Sequence, residues 1–107
     1  MSNNRPQSEV YRETAMRWAD LDAAARMLEE GKSAVLSQRM AALGDMAVSK
    51  AELSVKASPE WSDFIKKMVA ARTQANKAKI EMEFNRMQFF ERNSQAATER
   101  MEMRMAS

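Results

Sequence analysis

The sequence predicts an all-α protein, an antiparallel hairpin of two long helices with coiled-coil-like packing. Its 107 residues are rich in strong helix formers, including 11 methionines, and poor in β-branched residues. The two prolines are Pro6 and Pro59, so two long stretches of similar length are free of internal proline. In the second stretch, apolar residues recur at seven-residue intervals, which is the spacing of a helix that packs along another helix.

The first helix is predicted for residues 8–56, after an N-terminal arm, residues 1–7, that we expect to be disordered. Leu21, Leu28 and Val35 share one face at heptad spacing. Gly31 and Gly44 each cost about 1 kcal/mol relative to alanine in a helix interior. We therefore predict a helix that is continuous or gently kinked. A break at Gly31 and Gly44, giving a compact three-helix bundle, is the alternative.

A turn at residues 57–59 is predicted to start the second helix, residues 60–104. Ser58 can accept a hydrogen bond from a free backbone N–H, and Pro59 suits the first helical turn. Glu60 is favourable at the positive end of a helix. The heptad row of this helix comprises Trp61, Met68, Ala75, Met82, Phe89, Ala96 and Met103.

A hairpin that reverses near residue 57 pairs positions whose numbers sum to about 115. This register would place Trp18 beside Ala96 and Leu53 near Trp61. It would also pair charges across the two helices, Arg86 with Glu29 or Glu30 and Arg100 with Glu13. The whole chain is then expected to form a single helical domain.

Two helices bury a thin core, so an isolated pair is rarely stable unless another surface covers its exposed apolar flank. We therefore expect a homo-oligomer. Ile80 and Ala97 add apolar surface in the far half of the second helix. The candidate residues for contact with a partner or a second copy are Phe84, Met87, Phe89, Phe90, Met101 and Met103. The alternative is that these side chains belong to the core of the hairpin.

Catalysis is not predicted. The sequence has no cysteine and no histidine, which excludes a disulfide framework, a thiolate nucleophile and the commonest general base. Two carboxylate pairs have same-face helical spacing, Glu9 with Glu13 and Glu99 with Glu102, but such pairs are usually solvated charges. We predict a protein that is not an enzyme, with no catalytic residues, no metal site and no cofactor.

The sequence also lacks targeting and membrane signals. The N-terminus has no apolar h-region, and no run approaches the roughly 18 apolar residues of a spanning helix. We expect a cytoplasmic protein without a membrane partner.

Positive charge is concentrated in two windows, residues 31–44 and 64–80, that contain no acidic residue. The basic residues in these windows are Lys32, Arg39, Lys66, Lys67, Arg72, Lys77 and Lys79. Because the net charge is only +2, the rest of the chain is net negative. The windows are candidates for docking an acidic protein or a phosphate backbone, with Arg72 and Lys79 expected to have no acid opposite. The alternative is an ordinary solvated face.

A resemblance to a known class of proteins is visible in two segments. Residues 51–61, Ala-Glu-Leu-Ser-Val-Lys-Ala-Ser-Pro-Glu-Trp, and the helix ending Ala-Thr-Glu-Arg-Met-Glu-Met-Arg at residues 97–104 resemble small helical accessory proteins of tailed-phage early regions. Such proteins often lie beside recombination genes. The resemblance implies a phage or prophage origin and an accessory role around DNA recombination or host defence, exerted by binding.

The expected function is therefore that of a non-enzymatic phage-type protein in a bacterial host cell. It would bind a host nucleic-acid-processing or defence complex, as an inhibitor or a modulator. The alternative is a protein of phage recombination that binds single-stranded DNA or RNA. Salt distinguishes these functions, because phosphate contacts weaken steeply with rising salt and an apolar protein interface does not.

Overall fold

The computed structural model describes residues 5–106, and the predicted arm at residues 1–7 therefore lies mostly outside the described residues. The described part consists of three helices, α1 (Gln7–Ala41), α2 (Val48–Lys56) and α3 (Pro59–Ala106), and contains no strand. The protein is elongated, with extents of 86 × 28 × 15 Å. The all-α prediction is confirmed, and two long helices packed side by side dominate the fold.

The helix predicted for residues 8–56 agrees with the structure at Gly31 and differs from it at Gly44. Helix α1 continues through Gly31 and ends at Ala41. The chain then leaves helical geometry until Val48, and Gly44 adopts a positive φ of 80°. A left-handed residue ends a helix, and glycine adopts this conformation without the steric cost that a Cβ brings. The expected helix over residues 8–56 is thus two helices, broken at Gly44 only.

The start of α3 follows the predicted signal. The backbone N–H of Trp61 donates to Oγ of Ser58 at 3.2 Å, and the same hydroxyl donates to the carbonyl oxygen of Val55 at 2.6 Å. Ser58 therefore caps α3 and ties its start to the end of α2. Near this junction the ring of Trp61 is buried and stacks on Phe64, with ring centroids 5.6 Å apart.

The core between α1 and α3 is narrow and rich in alanine. Ala25 and Ala75 are both fully buried, and small side chains allow two helices to approach closely. The other buried apolar residues are Ala51, Val55, Trp61 and Ala78. The first five members of the predicted heptad row, Trp61 to Phe89, are buried or half-buried. The row therefore forms the seam with α1 up to Phe89.

The register of the hairpin differs from the predicted one. Trp18 lies under Nζ of Lys79, which is 5.9 Å from the indole ring centroid, and not beside Ala96. Opposed residues have numbers that sum to about 97, because the chain reverses over the whole segment 42–58 and not at residue 57. Leu53 is correspondingly exposed. Glu13, expected beside Arg100, pairs with Arg5.

Within residues 5–106, the shift in register leaves the end of α3 without a neighbouring element. Helix α1 has 35 residues and α3 has 48. Each residue from 90 to 106 is exposed, a segment of about 25 Å at 1.5 Å per residue. Ala96 and Met103 continue the heptad row into this segment, where nothing in the described chain covers them.

Candidate interaction surface

Arg72 of α3 is bound by two carboxylates of α1. Its Nη1 donates to Oδ1 of Asp22 at 2.7 Å, while Nε and Nη2 donate to the two carboxylate oxygens of Glu29 at 2.8 and 2.7 Å. The side chain of Arg72 is 30% exposed. The expectation that Arg72 has no acid opposite is wrong, because the observed register brings both carboxylates to it. Glu29 was expected beside Arg86 instead.

Hydrogen bonding within this cluster stabilises the charged form of each member. The hydrogen bonds from Arg72 lower the pKa of Asp22 and the pKa of Glu29 below their ordinary values. The same bonds to Glu29 and Asp22 raise the pKa of Arg72. Arg26 adds a further contact, with its Nε 3.0 Å from Oδ2 of Asp22. The positive charge of Arg72 is therefore balanced by carboxylates within the hairpin.

The remaining six basic candidates, Lys32, Arg39, Lys66, Lys67, Lys77 and Lys79, are exposed. Lys66 and Lys77 are eleven residues apart and so share one side of α3, whereas helical spacing puts Lys67 and Lys79 on two other sides. Arg39 lines a shallow cleft with Leu43 and Ser58, at the turn end. The structure thus distributes these charges around the hairpin and does not gather them into a single surface.

Aromatic rings do not accompany the basic residues on the surface. Trp61 is buried, Phe64 is half-buried against it, and Trp18 is half-buried beneath Lys79. Among residues 5–106, the exposed aromatic side chains are Phe84 and Phe90. Both follow the second basic window along α3, so base stacking within that window has no exposed ring to use.

A row of exposed apolar side chains runs along the face of α3 that lies away from α1. We call it the α3 stripe, and it comprises Ile80, Phe84, Met87, Met101 and Met105, with Glu91, Ser94 and Thr98 in the gap between Met87 and Met101. Successive positions are three or four residues apart, which keeps them on one side of a helix. The residues that face α1, such as Ala75, Ala78 and Asn85, lie on the opposite side at the same spacing.

The six predicted contact residues separate into two groups. Five of them are exposed, namely Phe84, Met87, Phe90, Met101 and Met103. Phe89 is half-buried between the helices, with its ring centroid 5.8 Å from that of Tyr11. Phe89 therefore belongs to the hairpin core, which is the alternative interpretation of these six residues.

Phe90 lies beside the stripe in a shallow depression on α3. Its ring is 5.6 Å from the guanidinium carbon of Arg86, and the two side chains line this depression with Glu83, Met87 and Glu91. An arginine held over an aromatic ring next to an exposed methionine combines charge with apolar surface. Such a combination is typical of protein-binding surfaces.

A smaller apolar area lies at the other end of the molecule. Leu43, Met46, Val48 and Leu53 are exposed around the segment that joins α1 to α2 and on α2 itself. They are not aligned along a single helix, so they offer no continuous face comparable with the α3 stripe.

Two of the interactions that were not predicted from the sequence join polar side chains of α1 and α3. One is the cluster of Arg72 with Asp22 and Glu29, and the other is a hydrogen bond between Gln7 and Asn85. Both interactions follow from the register of α1 along α3. That register depends on the break at Gly44, which the preferred prediction of a continuous or gently kinked helix did not include. With the reversal centred near residue 50, all these residues fall opposite one another.

Searches for other kinds of site and for relatives gave no match. Within residues 5–106, no group of three or more acidic side chains is placed to hold a metal ion, and none of the helices there combines the length and apolar character needed to cross a membrane. The chain matches no protein-family model, and comparisons with curated proteins and with solved structures gave no match. The resemblance to phage accessory proteins stays a prediction.

Proposed function

We propose that this chain is a non-enzymatic helical protein that acts by binding another protein through the α3 stripe. The observation that carries the proposal is the exposure of five large apolar side chains on one face of α3, opposite the face packed on α1. Exposed apolar side chains gathered on one face, as Ile80, Phe84 and Met87 are, mark interaction sites in monomeric proteins. Methionines at three of the five positions suit a binding surface, because their flexible side chains adapt to the partner.

The partner class in this proposal is a host nucleic-acid-processing or defence complex, which the chain would inhibit or modulate. This part rests on the resemblance to phage accessory proteins. The charge distribution supports an acidic partner surface, since Lys66 and Lys77 are exposed on α3 on the approach to the stripe. In this arrangement charge accelerates encounter, and the apolar side chains hold the complex together.

A second candidate function is binding of single-stranded DNA or RNA. It is favoured by the absence of acidic residues from the window 64–80 and by the exposed pair Lys66 and Lys77. The engagement of Arg72 by two carboxylates and the distribution of the lysines around the hairpin count against it. Protein binding is therefore the better supported of the two.

The experiment compares one stripe variant with one matched variant on the same helix. Phe84→Glu combined with Met87→Glu places two negative charges in the stripe, and Gln74→Glu places one negative charge on an exposed position away from it. Tagged proteins are used to recover partners from bacterial cells, and circular dichroism verifies helicity. We expect the double variant to lose partners that wild type and Gln74→Glu both retain.

The nucleic-acid alternative is tested with a labelled single-stranded oligonucleotide over a series of salt concentrations. We expect no retention at moderate salt. Three results together would favour nucleic-acid binding over the proposal. Retention would fall linearly with the logarithm of the salt concentration, it would disappear in the double variant Lys66→Glu with Lys77→Glu, and the stripe variant would bind the oligonucleotide normally.

A further inference from the structure

We infer that the α3 stripe is occupied by the same stripe of a second copy, with residues 80–105 of the two α3 helices packed antiparallel. This inference rests on the proposed function, in which the α3 stripe binds protein, and it names a second copy of the chain, in place of a host complex, as the protein bound there. It is carried by three features of α3, which are its unsupported end, the self-complementarity of the stripe and the position of the stripe relative to α1.

The unsupported end of α3 requires a covering surface. Residues 90–106 form 17 residues of helix in which every side chain is exposed. Isolated helices of about this length are marginal in water, since most helical stability in proteins comes from packing an apolar face. Met101 and Met105, exposed by 63% and 82%, would supply that face against a neighbouring helix.

The stripe is complementary to itself when two copies run antiparallel. If opposed residues have numbers that sum to about 185, every large apolar residue of the stripe meets an apolar group or a methyl-bearing threonine. The pairs are Ile80 with Met105, Phe84 with Met101, and Met87 with Thr98 of the second copy. The small Ser94 faces Glu91 at the centre, next to the two-fold axis.

The residues beside the stripe define the same register. On one flank Phe90 faces Ala97 of the second copy, so a large side chain meets a small one. On the other flank Gln88 faces Gln95, and Glu81 faces Glu102. The last pair brings two like charges together, which weakens this register without blocking it and provides a specific test.

The stripe is accessible to a second copy, and the dimer that results has closed symmetry. Helix α1 covers the opposite side of α3, where Ala75, Ala78 and Asn85 are buried. The contact would extend over about 39 Å of helix, close to the length of the α1 seam from Trp61 to Phe89. A two-fold axis uses one surface on both copies, so the dimer leaves no open end for further growth.

Light scattering coupled to size exclusion tests the oligomeric state of the full chain. The monomer has a mass of 12.2 kDa, and we expect twice that mass for wild type and for Gln74→Glu. Phe84→Glu with Met87→Glu is expected to be monomeric with its helicity retained. Glu102→Lys converts two repulsive pairs with Glu81 into attractive ones, and we expect about a tenfold lower dimer Kd.

Cysteine cross-linking tests the orientation, and the cysteine-free sequence makes it simple. In the antiparallel register Ser94→Cys lies close to its counterpart, whereas Met105→Cys lies far from its own. We expect efficient disulfide formation by Ser94→Cys and little by Met105→Cys. Efficient disulfide formation by Met105→Cys would indicate parallel helices, which place residue 105 of the two copies side by side, and would overturn the inference.

Failure of the inference is distinguishable from failure of the proposed function. A wild-type monomer overturns the inference, as does a dimer that the stripe variant leaves intact. If the wild-type monomer recovers a bacterial protein that the stripe variant does not recover, the proposed function stands and the partner is a protein other than a second copy. If the monomer recovers none, both fail.

Discussion

Gln7 and Asn85, 78 positions apart in the sequence, are joined by a hydrogen bond in which Nε2 of Gln7 donates to Oδ1 of Asn85 at 3.1 Å. Asn85 is only 6% exposed, and its Nδ2 donates to the carbonyl oxygen of Glu81 at 2.9 Å. Gln7 is the first residue of α1. The bond therefore fastens the start of α1 to α3 at the level where the shared seam ends, and it satisfies a buried polar group on the face of α3 that packs against α1.

Replacing Gln7 by alanine is predicted to lower the free energy of unfolding by about 1 kcal/mol, the usual net contribution of a hydrogen bond to stability. Urea denaturation followed by circular dichroism measures the change. Gln95→Ala is the control, since Gln95 is exposed on the part of α3 beyond α1. Equal stability of the two variants would show that the bond does not fasten α1 in solution.

Replacing Trp61 by alanine is predicted to cost about 3 kcal/mol, because the ring is buried and stacked on Phe64. Trp18→Ala is expected to cost less, as that ring is half-buried. Thermal unfolding gives both values. A Trp61 variant as stable as wild type would place the indole ring on the surface.

The two glycines are predicted to respond to alanine in opposite directions. Gly31 lies inside α1, and a Cβ there meets no atom within 4 Å, so Gly31→Ala is expected to stabilise the protein by about 1 kcal/mol. Gly44 has a positive φ of 80°, and alanine is strained there by at least about 1 kcal/mol. Denaturation midpoints measure both changes, and a gain at Gly44 would contradict the break between α1 and α2.

The cluster at Arg72 is predicted to make stability depend on pH in the acid range. The pKa values of Asp22 and Glu29 are lower in the folded state than their ordinary values of 3.8 and 4.5. The unfolded chain therefore binds more protons as the pH falls, so stability is fully present above these ordinary values and is lost below them. Urea midpoints measured from pH 6 to pH 3 are expected to fall.

Arg72→Met provides the control for this pH dependence. The variant leaves Asp22 and Glu29 without their main hydrogen-bond donor, so we expect lower stability at neutral pH and a smaller decrease towards acid. The decrease due to Glu13 beside Arg5 remains in both proteins, because hydrogen bonding from Arg5 also lowers the pKa of Glu13. Parallel curves for wild type and variant would show that Arg72 does not stabilise these carboxylates.

The fold class was predictable because several local signals agree. Abundant helix formers, the cap at Ser58 and the heptad row from Trp61 all indicate long helices, and all three are present in the structure. Such agreement between propensity, capping and pattern is what makes a fold readable from its sequence. The break at Gly44 was harder to predict, since an isolated glycine is tolerated inside helices, as Gly31 is.

The charged residues were less predictable because their partners depend on register. Moving the reversal from residue 57 to the segment 42–58 shifts α1 along α3 by several turns, and this shift brings Asp22 and Glu29 to Arg72. The periodicity of a helix fixes which residues share a face. It does not fix how far one helix is displaced along another. The apolar face of α3 could thus be predicted from spacing, whereas the fate of the basic residues could not.

The unequal lengths of α1 and α3 have a consequence for the motions of the molecule. Backbone amides near Ala75 lie in helix turns that are held by a second helix, and opening them requires much of the hairpin to separate. Amides in residues 90–106 lie in turns that no other described element covers, and such turns open locally. Hydrogen exchange along α3 is therefore expected to be graded in the monomer, slow in the first half and fast in the second, and to become uniform in the dimer, where a second α3 covers the second half.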